Sequence, residues 1–76
     1  MIIRTQNKLA IVDFNKVHMI GMNRNHQIFA KTSRLRIVLG EYGSDDECKR
    51  VMSRLTTAIR INGDFVMPES EGENEN

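Results

Sequence analysis

The apolar residues of this chain change period once, between Leu39 and Cys48, and that change limits the fold more than any other feature. Before it, short apolar runs rich in β-branched residues alternate with polar breaks, the pattern of strands. After it, Cys48, Val51, Met52, Leu55, Ala58 and Ile59 fall on one stripe at helical spacing. The expected class is therefore α+β: an antiparallel meander of four to five strands with one amphipathic helix packed on one face.

The strand candidates are residues 9–14, 16–22, 26–32 and 34–42, with "MIIRT" at the N-terminus as a fifth. Asn7, Asn15, Asn23 and Asn25 mark the breaks, where a residue tolerant of left-handed backbone suits a turn. Connections this short hold no crossover helix, so neighbouring strands are expected to pair antiparallel. The helix is expected over about residues 45–61. A short terminal strand in "FVMP" ends at Pro68, which has no N–H to donate.

"EYGSDDECKRVMSRL" raises the question of a metal or catalytic cluster, with four acids within seven positions. Each acid has a simpler role at a helix start. Ser44 stands at the N-cap, and Glu47 three residues later completes a capping box. Asp45 and Asp46 fill the first turn, where the helix dipole favours negative charge, and they precede Lys49 and Arg50 by four residues. First-turn side chains fan outward, whereas metal ligands must converge. "NGD" at residues 62–64 supplies the stop, with Gly63 suited to the left-handed cap.

With 76 residues the chain forms one domain, expected over residues 1–68, and residues 69–76 read as a disordered acidic tail. A chain of this size buries only about 60–65% of its unfolded surface, so the core is small. A single cysteine rules out an internal disulfide. The N-terminus lacks a signal-length apolar run, and no stretch approaches the ~20 apolar residues of a membrane span, so the cytoplasm, or the interior of a host cell, is the expected location.

The net charge of +1 hides a gradient. Residues 1–40 hold seven Lys/Arg against one acid, Asp13, while residues 63–76 hold five acids and no base. On the strands, Leu35, Ile37 and Leu39 alternate with Arg34, Arg36 and Val38, and the same alternation sends Tyr42 outward with them. One helix covers one sheet face, so an apolar patch with a basic rim is expected on the other. Monomers seldom expose such patches, so a homo-oligomer (a dimer or larger) or a partner is expected there. Arg24, Lys31, Arg34 and Arg36 are the candidate cationic contacts, and Phe29 and Tyr42 the candidate apolar or stacking anchors.

Signals for catalysis are missing from the pattern. His18 and His26 share no zinc spacing with Cys48. Both read as strand or turn residues, and Cys48 reads as a small buried apolar group. There is no Gly-rich phosphate loop and no readable nucleophile–base order. No metal and no cofactor are expected, and the chain reads as a binding module rather than an enzyme. Nucleic-acid binding through the basic half is the alternative, opposed by a pI near 7.9 and by the shortage of stacking aromatics. A structural or assembly subunit without a ligand is the other.

"MIIRTQNK", "IVDFNKV", "LGEYGSDDECKRVMSRL" and "FVMPE" together resemble a family of small uncharacterised proteins of Gram-positive bacteria, their phages and mobile elements. Members combine an N-terminal strand meander, an L-G-x-Y segment, a capped helix and a terminal F-x-M-P. The resemblance spans positions 1 to 69, and Cys48 stands where members usually carry Ala. It brings no catalytic residue. It implies a phage or mobile-element accessory protein, and with the small size an inhibitor of host defence that binds a host protein or sequesters a nucleotide-type signal. In its order of strands followed by a helix the chain is also similar to bacterial pleckstrin-like domains, which are longer and have more strands.

Overall fold

Alternation decides which side each short strand buries. In the computed structural model, which describes residues 1–71, the strands are β1 (Ile2–Arg4), β2 (Ile11–Asp13), β3 (Met19–Met22), β4 (Gln27–Lys31), β5 (Arg36–Glu41) and β6 (Phe65–Val66). The helix, α1 (Asp45–Arg60), lies between β5 and β6. Ile3 and Val12 face inward between exposed neighbours on β1 and β2. Ile28, Ala30 and Leu39 are buried on β4 and β5, where Phe29 and Gly40 beside them are buried as well. With Cys48, Val51 and Leu55 from α1, and with Met67, they form the core. The α+β class expected from the change in period is the class observed.

The strands divide into two three-stranded sheets, in the orders β2-β1-β6 and β3-β4-β5. The second is antiparallel throughout. In the first, β1 pairs antiparallel with β2 and parallel with β6. Two local causes separate the sheets. Asp13 accepts a hydrogen bond from Asn15 N (3.0 Å), and the chain leaves β2 through a 3-10 turn, Phe14–Lys16, instead of a tight hairpin. The return of β6 is the second cause, because α1 carries the chain back across the fold, as a parallel pair requires. Gln6 joins the sheets: its N–H donates to Leu39 O, and its side chain donates to Glu41 O and accepts from Glu41 N.

β5 contains a bulge. Phe29 pairs with Val38 and Ile28 with Gly40, so Leu39 is the extra residue. The bulge rotates the rest of the strand by one position, and Tyr42 turns into the core instead of outward. Its ring lies against Gly40, where an added Cβ would sit 2.8 Å from Tyr42 Oη. Tyr42 Oη donates to Pro68 O (2.7 Å). The outward anchor expected at Tyr42 is thereby corrected: the side chain is core.

The start of α1 follows the capping pattern with one change. Ser44 Oγ accepts from Glu47 N (3.1 Å), but the Glu47 carboxylate reaches past the N-cap to Gly43 N (2.8 Å). The expected Asp45–Lys49 and Asp46–Arg50 ion pairs do not form; Asp45 lies 3.5 Å from His26, and Arg50 pairs with Glu71 at 3.7 Å. At the other end, Asn62 takes the left-handed conformation (φ 56°) in place of Gly63. Gly63 N then donates to Ala58 O and Asn62 N to Ile59 O, a Schellman closure.

Of the segment read as a disordered acidic tail from residue 69, residues 69–71 are described and make contacts with the domain. Ser70 Oγ and Glu71 N donate to Glu47, and Lys8 pairs with Glu69 at 3.8 Å. The rest of that expectation lies outside the described residues. Among the described residues no helix is long and apolar enough to cross a membrane.

Candidate functional site

The β4–β5 hairpin turn gathers cations. Thr32 closes it: its N–H donates to Leu35 O (2.9 Å), and its hydroxyl accepts from Arg34 N and Leu35 N (both 3.2 Å). Arg34 and Leu35 are left exposed on the turn. Below it, Lys31 pairs with Arg36 across β4–β5 and with Met19 across β3–β4. His18 N donates to Lys31 O (2.7 Å), extending the ladder by one residue. The result is an open depression lined by His18, Lys31, Arg34 and Arg36 around Met19 and Leu35, with the hydroxyls of Thr32 and Ser33 at the turn.

No carboxylate of the described residues lines this depression. Among the described residues Lys31, Arg34 and Arg36 take part in no ion pair. Three permanent positive charges held together without an acid repel one another mildly and attract an anion strongly. Arg36 is the most constrained of them. Its guanidinium carbon lies 4.1 Å from the centroid of the Phe29 ring. Phe29 rests in turn on Gly21, its partner on β3, where an added Cβ would stand 3.1 Å from Phe29 Cζ. The column Gly21–Phe29–Arg36 fixes where one guanidinium stands. Cation–π contact of this kind contributes about 0.5–1 kcal/mol at an exposed site.

Lys31, Arg34 and Arg36 are thus brought together on one depression. Phe29 belongs to it only from below: it is 8% exposed, so Arg36 and not a ligand covers its ring. Arg24 is exposed in the turn between β3 and β4, at the opposite end of the sheet, and does not join the depression. His18, read from the sequence as a strand residue, is exposed and lines the depression. The signal for it is the hairpin register, which sets His18 beside Lys31. Met19, Leu35 and Val38 add exposed apolar surface beside the cations; Leu35, which the alternation sets on the helix side, is exposed because it lies in the hairpin turn before β5.

At the opposite end of the same sheet the Tyr42, Glu47 and Gln27 side chains have partners within the chain, whereas Arg24 forms no ion pair with a described residue. His26 sits in the β3–β4 turn at φ 60°, and its carbonyl accepts from Tyr42 N (2.9 Å) and from Cys48 Sγ (3.4 Å). Burial raises the Cys48 thiol above its ordinary pKa, and the carboxylates of Asp45 and Glu47 push the same way. A fully buried thiol held protonated is a packing group, not a nucleophile. Burial likewise pushes the Tyr42 hydroxyl up, with Cys48 and Glu47 adding to it. Glu47 is 5% exposed, and its carboxyl is held below its ordinary pKa, chiefly because Glu71 N donates to it, with further bonds from Gly43 N and Ser70. Among the described residues no group of three or more His, Cys, Asp or Glu is placed to hold a metal ion.

Compared with protein-family models, with curated proteins and with solved structures, the chain matches none.

Proposed function

We propose that this chain is a non-enzymatic binding protein that captures a small polyanion, of nucleotide type, on the depression formed by Lys31, Arg34, Arg36 and His18. The observation that carries this reading is the convergence of three cations that no acid of the described residues neutralises. Two arginines favour phosphate over a diffuse negative surface, because guanidinium groups bond phosphate oxygens in pairs. Arg36, already fixed on Phe29, loses little freedom on binding. The resemblance to proteins of phages and mobile elements supports placing this capture in the defence of such elements, where removing an anionic signal inhibits the host. The exposed Met19, Leu35 and Val38 beside the cations support a second copy of the chain meeting this face, so that two subunits enclose the ligand.

Nucleic-acid binding through the basic half is disfavoured: Tyr42 is core and Phe29 is covered, which leaves the depression without a free ring to stack on bases. Native mass spectrometry of the protein purified from a bacterial cell tests the reading. A retained nucleotide-sized mass, lost in an Arg34→Gln/Arg36→Gln variant, supports it. A bare chain that binds neither nucleotides nor pyrophosphate on titration rejects it.

A further inference from the structure

Residues 67–71 cross the start of α1 and are held at successive points. Met67 N donates to Arg4 O, and the Met67 side chain is fully buried. Pro68 O accepts from Tyr42 Oη and from Gln6 Nε2. Beyond Pro68 the support changes character. Glu71 N donates to Glu47 Oε2 at 2.5 Å, and Ser70 Oγ donates to the same carboxylate at 3.3 Å. The exposed ion pairs Lys8–Glu69 and Arg50–Glu71 add to these bonds. Such pairs contribute little on their own. A cleft between this segment and α1 is walled by Glu47, Arg50, Val51 and Arg54 on one side and by Pro68, Glu69 and Glu71 on the other.

We propose that residues 69–71 are a strap closed on the Glu47 carboxylate, and that protonation of this carboxylate releases the strap and so opens the cleft that it forms with Arg50 and Arg54. The carboxylate accepts two backbone N–H groups and a hydroxyl, so its charged form is the one that the closed strap requires. A protonated carboxyl turns an O–H donor toward these donors, and at least one bond is lost. The charged and titratable groups facing Glu47 are Arg50, Arg54 and Cys48 from α1, Tyr42 ahead of it, and Glu69 and Glu71 from the strap. Arg50 favours the charged form, in the same sense as the N–H donors. A carboxylate held below its ordinary pKa contributes stability that is complete above the unfolded-state value. That contribution fades as pH falls through the folded-state value. The strap is therefore closed at neutral pH and opens in acid, separately from the Met67 anchor.

Amide NMR of the full 76-residue chain tests this. On acidification from about pH 7 to about pH 3, the Gly43, Ser70 and Glu71 amides move together with one midpoint while Ile28 and Leu39 stay in place. Glu47→Gln, which places an amide NH2 against these donors, makes the Glu71 amide exchange at least about tenfold faster at neutral pH, with Ile28 and Leu39 unchanged. Should Glu47→Gln fail to fold, Glu71→Pro removes the main donor and leaves the carboxylate, and a released Ser70 amide is expected. A Glu71 amide that ignores pH or keeps its protection in Glu47→Gln, or a Ser70 amide that does not move in Glu71→Pro, overturns the proposal.

Discussion

The β3-β4-β5 sheet has two ends, and they treat polar side chains in opposite ways. Next to the first turn of α1, Glu47, Tyr42, Gln6 and Gln27 each bond to named groups of the same chain. At the hairpin turn, Lys31, Arg34 and Arg36 bond to no acid of the described residues. The helix end resembles a cluster of functional groups in sequence and works as scaffold. The hairpin end resembles scattered surface charge in sequence and is where unsatisfied chemistry remains. A cluster is a candidate site when its charges lack internal partners, not when it is dense.

The largest way to break this comparison is at the satisfied end. Glu47→Ala leaves Gly43 N and Glu71 N without their acceptor and is expected to destabilise by about 2 kcal/mol, read as a loss in urea midpoint. Its pH dependence sharpens the test. The wild-type advantage over the variant is full at neutral pH and shrinks in acid, because the folded-state pKa of Glu47 is depressed. Tyr42→Phe removes one of the two donors to Pro68 O and is expected to cost about 1 kcal/mol by the same measurement. Asn62→Gly relieves a left-handed residue at the end of α1 and is expected to gain about 0.5 kcal/mol in thermal melting. Least of all for the fold, Arg34→Gln with Arg36→Gln is expected to change stability by under about 1 kcal/mol, the worth of the contact with Phe29.

The legible part of this fold is local. Ser44 and Glu47 announce the helix start, and the stripe from Cys48 to Ile59 marks its buried face, because capping and helical period act over a few residues. The hairpins β3–β4 and β4–β5 follow from apolar runs and short breaks. The β1–β6 pair does not, since Ile3 and Phe65 are brought together only by the completed fold. Strict alternation misplaces Tyr42 because it carries no sign of the bulge at Leu39, although Gly40 near a tyrosine marks a close approach. At the candidate site, Lys31, Arg34 and Arg36 are legible as outward residues of one hairpin. His18 is not, because its place depends on pairing with a strand that follows it. Arg24 shares their charge but lies on the wrong turn of the sheet.

The central claim is that the hairpin-end cations form an anion site that folding does not need. Titrating inorganic pyrophosphate calorimetrically into the wild-type chain and into Arg34→Gln/Arg36→Gln, with melting curves of both, tests it most directly. The expected result is binding by the wild type, weakened at least about tenfold in the variant, with melting nearly unchanged. Equal binding by the two proteins, or no binding by the wild type, would contradict it.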